Sequence, residues 1–340
     1  CGPCFGASDA PGNNDFCIRH STRNFPNREG SNPANGQIAS VALMDSKSIA
    51  ATAFNGGYLT SAEDCPVVYE TPEYEFNEHI YDNIVYNGFG KAKPETEIVY
   101  GPSIKDWPEM EPLKENLLLQ VASVIRDEVT TTDELIPSGE ASSFRSNPKK
   151  ISEYTMISRD PDYVGRAKAI RSLETKRREQ FASGQARPVQ TGDAEFDALL
   201  EKLTKTLGCP APDITFGGLM VSDKIGDGSS REQAASSQKV LGGFANLANE
   251  YATKRYRSNL INWGLLPLRT EEKLEIPVGS YLLVRDVEQV ISECKNTVKV
   301  QLLDAVTGDV KKEISCTLDT LTEDERKILL SGCLINYYRS

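Results

Sequence analysis

Two kinds of apolar pattern alternate along this chain. Residues 117–125 read Leu-Leu-Leu-Gln-Val-Ala-Ser-Val-Ile, apolar enough for a strand buried on both faces. Residues 214–221 read the same way, and 281–285, 297–303 and 310–317 continue the β character, with a turn at Thr307-Gly308. Helical signals lie between them. Asp45 is placed to cap a helix through Ile49, Ala50, Ala53 and Phe54, which Gly56-Gly57 stops. Asp160-Pro161 predicts an N-cap and first turn for a helix reaching about residue 181, whose Lys/Arg-rich second half should be a solvated face. Residues 194–207 form an amphipathic stretch ended by Gly208, and 232–240 predict a further helix. Thr322 and Glu325 predict a capping box for the last one. Near the start, Phe16-Cys17-Ile18 and residues 37–43 read as short strands. The fold class is α/β.

One stretch breaks the pattern. Residues 63–114 are rich in Pro, Glu, Tyr and Asn and show no sustained period, as in a linker lying across a surface. Two units are therefore expected, at 1–62 and 115–340. The chain begins with Cys1 and not with methionine, so a missing upstream part is expected.

No apolar run approaches the roughly 20 residues of a membrane helix, and the cysteine usage favours a reduced, cytoplasmic setting, or a mitochondrial one in a eukaryote. The net charge of −11 disfavours nucleic acid as a partner, which basic footprints attract. It leaves small anions open, because a few converging arginines grip a carboxylate locally. Eight cysteines, widely spaced in a 340-residue chain, read as reduced thiols and not as a disulfide framework.

Three stretches carry candidate chemistry. Cys1-Gly2-Pro3-Cys4 has a spacing that serves zinc, iron–sulfur clusters and redox dithiols alike. Arg23 and Arg28 share a polar loop with Asn24, Pro26 and Asn27 soon after it. The sharpest is Gly226-Asp227-Gly228-Ser229-Ser230-Arg231, where a strand runs through two glycines into a helix start. Its free backbone N–H groups can bind an anion, stabilise a serine alkoxide, or simply be capped by a hydroxyl. Arg231 stands where a dinucleotide fingerprint needs its third glycine. With only His20 and His79, and no GxSxG, a Ser–His–Asp hydrolase is hard to assemble.

Taken in order, these stretches resemble the family of aconitase, homoaconitase and isopropylmalate isomerase. Cys1-Gly2-Pro3-Cys4 resembles its paired cluster ligands, and Thr22-Arg23-Asn24-Phe25-Pro26-Asn27-Arg28 its substrate loop. Thr131-Thr132-Asp133, through Ser138-Gly139 to Phe144-Arg145, resembles the opening of its swivelling domain. Gly226 to Glu232 is similar to the catalytic serine loop, and Ser258-Asn259-Leu260 through Pro267-Leu268 to a later segment. The resemblance implies the end of a three-layer cluster-binding α/β domain at 1–62, a linker at 63–114, and the C-terminal swivelling β/α domain at 115–340.

It also implies roles. Cys1 and Cys4 would hold a [4Fe–4S] cluster, Ser229 would be the general base, and Arg231 would ease the cost of its alkoxide. Asp133 would belong to the polar network beside them, with Arg23, Arg28, Arg145 and Ser230 binding substrate carboxylates. Three positions depart from the family: Glu134 and Gln233, each where it usually has histidine, and Thr22, where asparagine often precedes the first loop arginine. The family's third cysteine and N-terminal half are not in this sequence. The expected partners are thus a small tricarboxylate and those N-terminal domains, and the chain alone should not assemble the cluster. The implied reaction is the isomerisation of citrate to isocitrate by dehydration and rehydration. The alternatives are a homoaconitase- or isopropylmalate-type hydratase, or an inactive or RNA-binding relative.

Overall fold

The computed structural model describes residues 44–68, 70, 73–82, 88–137, 141–182 and 189–339. The chain divides into two units, Cys1–Val99 and Tyr100–Ser340. In the first, helix α1 (Ser46–Phe54) starts where Asp45 accepts hydrogen bonds from the Lys47 and Ser48 N–H groups, at 2.9 and 3.0 Å. It ends ahead of Gly56 and Gly57, both at positive φ. The strands expected at 16–18 and 37–43 lie outside the described residues, as do Cys1, Cys4, Arg23 and Arg28.

The second unit is built on one eight-stranded sheet. Its strands are β1 (Asn116–Ile125), β2 (Thr130–Thr131), β3 (Ile214–Asp227), β4 (Gly243–Tyr251), β5 (Leu266–Arg269), β6 (Tyr281–Val284), β7 (Thr297–Leu303) and β8 (Val310–Thr317). The helices are α2 (Thr132–Leu135), α3 (Pro148–Ser152), α4 (Tyr163–Ala182), α5 (Ala194–Leu207), α6 (Arg231–Val240), α7 (Lys254–Asn262), α8 (Val287–Ser292), α9 (Glu323–Ser331) and α10 (Leu334–Tyr337). The order β1-β6-β7-β8-β5-β4-β3-β2 closes on itself, because β1 also pairs with β3. β1, β3, β4 and β5 run parallel, whereas β6, β7 and β8 complete the circuit antiparallel.

Closure explains the apolar runs. Successive side chains of a strand point to opposite faces. Leu117, Leu119 and Val121 join Leu219, Val221, Leu247, Leu282 and Val300 in one core, inside the closed sheet. Leu118 and Ala122 join Phe216 and Met220 in a second core, with Phe196, Leu199 and Leu203 of α5. β1 and β3 are thus covered on both sides along most of their length, and no polar alternation survives to mark their faces.

Several boundaries differ from the sequence reading. Asp160 does not cap a helix through its side chain. Its carboxylate takes the Ser123 hydroxyl at 2.6 Å and the Arg166 guanidinium, and α4 begins at Tyr163. The second half of α4 is not wholly solvated either. Arg177 is buried, and its guanidinium binds Glu174 and the carbonyls of Ala211 and Ile214. β3 runs to Asp227, six residues past the apolar stretch, because β2 pairs alongside its far end at Ile225 and Asp227. Residues 104–113, read as linker, are held to this unit by the Leu113–Leu330 and Lys105–Ser146 backbone bonds and the Trp107–Trp263 ring contact. Cys209, Cys316 and Cys333 are free and buried, as small apolar side chains.

Candidate active site

The β3–α6 turn is shaped from below. Gly226 has φ +97°, and a Cβ there would come within 2.1 Å of the Tyr256 ring. Both facts require glycine. Tyr256 is itself fixed: its hydroxyl accepts from Gln238 Nε2 at 2.9 Å and Asn246 Nδ2 at 3.0 Å, and burial pushes its phenol well above the usual range. Thr253 Oγ1 donates to the Gly226 carbonyl at 3.1 Å. Gly228, at φ +117°, turns the chain out of the sheet, and Ser229 emerges exposed just before the first turn of α6.

Ser230 occupies the N-cap position, yet its side chain caps nothing. Its backbone N–H donates to Thr132 Oγ1 at 3.2 Å, tying this loop to the start of α2, where Asp133 stands. Arg231 folds back, with Nη1 donating to the Gly228 carbonyl at 2.5 Å. Arg145 is exposed, and it lines one small cleft with Ser230 and Gln233, walled by Ile136, Pro137, Ala141 and Ile151. Asp133, Arg145 and Ser229 to Arg231 therefore gather at one end of the sheet. Residues 138–140 lie outside the described residues.

Glu134, where the family usually has histidine, is structural here. Burial pushes its carboxyl up, but the Thr131 N–H and hydroxyl and the Arg159 guanidinium hold it below the ordinary range overall. With Thr131 it forms a capping box that fixes α2.

Besides Tyr256 and Thr253, the sequence reading gave no role to two further supports of the loop. Thr132 is one. Glu232 is the other, since it accepts from Trp263 Nε1 at 2.5 Å and from the Asn259 amide, locking α6 to α7. Asn259 lies inside the later segment that resembled the family, so that segment bears directly on the serine loop.

Residues 218–273 match the family model for the aconitase C-terminal domain. That span holds the whole turn together with Tyr256, Asn259 and Trp263. That part of the chain resembles the aconitase family. The chain is 26% identical over 289 residues to the mitochondrial aconitate hydratase of Candida albicans, covering 79% of this chain and 34% of that protein. Over 122 residues it is 33% identical to the methanogen homoaconitase small subunit of Methanocaldococcus jannaschii, covering 36% of this chain and 61% of that subunit. The crystal structure of a 3-isopropylmalate dehydratase from the same organism aligns at 22% identity and a TM-score of 0.38, covering 66% of this chain and 93% of that one. The aconitase-like chain thus spans about a third of the curated aconitate hydratase it resembles. Among the described residues no helix is long and apolar enough to cross a membrane.

Proposed function

We propose that this chain is the part of an aconitase-like hydro-lyase that supplies the catalytic base, and that the complete enzyme isomerises a hydroxy-tricarboxylate of the citrate type. The observation that supports it most is the turn itself. Ser229 stands exposed at a helix N-terminus, just after Gly226 and Gly228 at positive φ, and the next residue, Ser230, shares a cleft with Arg145. Ser229 takes the carbon-bound proton, and the α6 N–H groups and dipole lower the cost of its alkoxide. Arg231, bound to the loop carbonyl of Gly228, braces the turn from the side. Arg145 and Ser230 bind a substrate carboxylate, with Asp133 in the adjoining polar network, and Arg23 and Arg28 add further guanidinium groups.

A [4Fe–4S] cluster held in part by Cys1 and Cys4 would supply, when bound, a Lewis acid for substrate oxygen. Both cysteines lie outside the described residues, among which no group of three or more His, Cys, Asp or Glu is placed to hold a metal. The remaining domains would come from the same polypeptide or from a separate large subunit.

One observation favours a second reading. Around Arg145 the lining residues Ile136, Pro137, Ala141 and Ile151 are apolar and bring no second cation for a further carboxylate, which fits an alkyl-bearing substrate as in isopropylmalate. Assaying the complete protein with citrate, isocitrate and isopropylmalate separates the two. Turnover of citrate, with Arg145→Lys raising KM more than it lowers kcat, is the expected result. Preference for isopropylmalate would move the assignment to the second reading, and activity on none of the three would overturn both.

A further inference from the structure

A cleft of about 770 Å³ opens in the second unit at the other end of α6, between the C-terminal half of α4 and residues 108–111. Ser229 precedes the first residue of α6, whereas Lys239, in its last turn, lines this cleft. The two are separate places.

Lys239 is an unusual wall residue. It is only 4% exposed, and its Nζ lies 3.8 Å from the centre of the Phe244 ring. That ammonium makes one long hydrogen bond, 3.3 Å to the Gly264 carbonyl. Three donors with one carbonyl and one ring face are under-satisfied for a buried cation. Among the described residues no carboxylate stands within ion-pair distance of it. Burial pulls its pKa down to about 7, against the weaker pull of the titratable groups that face it, Cys333 and Glu111.

The rest of the lining has the same bias. Arg177 pairs with Glu174, and Arg178 with Glu111. Those pairs leave Lys239, Arg171, Lys114 and Lys149 against Glu109 and Glu179 on the walls, a cationic recess in an acidic chain. Arg171 is set there by design of the backbone. It packs over Gly242, where a Cβ would meet the Arg171 Cβ at 3.0 Å, and it donates to the Val240 carbonyl. The apolar share of the lining is Met110, Ala182 and half-buried Phe181, with the buried rings of Phe216 and Phe244.

We propose that this cleft is a second binding site, for a small carboxylate with an apolar body. The carboxylate pairs with Lys239, and the body lies against the accessible apolar wall of Phe181, Met110 and Ala182, Phe216 and Phe244 being buried. A ligand carboxylate supplies a charged acceptor where Lys239 has only the Gly264 carbonyl, while the accessible wall sheds water. The inference stands apart from the serine loop and holds whatever that loop does.

The test uses the full 340-residue chain and 4-phenylbutyrate as probe, with 4-phenylbutan-1-ol as its uncharged counterpart, both followed by ligand-observed NMR titration. At pH 6 the acid should bind at least about tenfold tighter than the alcohol. Its Kd should rise by a similar factor, about tenfold, by pH 9, as Lys239 loses its proton. Lys239→Met, which keeps the length and removes the buried charge, should erase the difference between acid and alcohol. The proposal is overturned if the acid shows no binding at about millimolar concentration, or if acid and alcohol bind alike to the unsubstituted chain. It is equally overturned if the acid keeps its advantage in Lys239→Met. The acid–alcohol comparison on the unsubstituted chain stands even if that variant fails to fold.

Discussion

The serine-loop end of the second unit and its β7–β8 hairpin are built on opposite principles. The hairpin is assembled from neighbours. Lys299 and Glu313 pair across the ladder at 2.8 Å, and Asp304 accepts the N–H groups of Val306 and Thr307 within the turn. The serine loop is assembled from a distance. Ser230 is tied to Thr132, Glu232 to Trp263, and Gly226 lies on Tyr256 and Thr253. A locally encoded turn tolerates change, because each part can be lost without moving the others. A loop held at strained φ by remote side chains does not, because its geometry is over-determined from outside.

The sharpest way to break this contrast is Gly226→Ala. The methyl meets the Tyr256 ring at a φ alanine avoids, so a loss of roughly 3 kcal/mol or more in denaturant unfolding is expected. A loss below about 0.5 kcal/mol, within the range of an ordinary surface change, would mean that the loop is free to move. Next comes Tyr256→Phe, which takes the acceptor from the buried Asn246 amide and one of two from Gln238, and should cost about 2 kcal/mol. A neutral outcome would show that those amides find other partners.

Glu134→Gln should cost less, roughly 0.5 kcal/mol at pH 7 once solvent screening of the Arg159 pair is allowed for. Its carboxyl is held below the ordinary range in the fold, so the pair's contribution is present above the unfolded pKa. That contribution should fade as pH falls through the lower folded value. Melts of both proteins from pH 7 downward should therefore converge in acid, and a gap that widened instead would reverse the sign. The smallest effect belongs to the hairpin. Lys299→Gln removes an exposed cross-strand pair and should leave the melting midpoint unchanged.

The same contrast governs what the sequence discloses. The β7–β8 hairpin, α5 with its Asp193 cap and Gly208 stop, and the Thr322–Glu325 box are legible because their determinants sit within a few residues. β4, β5 and α7 were not read at all. β4 and β5 lie in the parallel half of a closed sheet, where burial on both faces removes the alternation that marks a strand. Asp160 misled because Ser123 and Arg166, remote or unrecognised partners, claim the carboxylate that looked like a cap. At the site, the motif from Gly226 to Arg231 stood out through its glycines, and Arg145 through its place in the family pattern. Thr132 and Glu232 did not, since their part is played through residues 98 and 31 positions away.

We propose Ser229 as the base of a hydro-lyase, and removing its hydroxyl tests that role at the reacting atom. Steady-state kinetics of Ser229→Ala in the complete, cluster-loaded protein should show kcat lowered by about 10²–10⁴-fold with KM little changed. The melting profile should match the unsubstituted protein, because Ser229 is exposed at the turn. Near-normal kcat in that variant would contradict the account, leaving the strained turn as structure without the chemistry proposed for it.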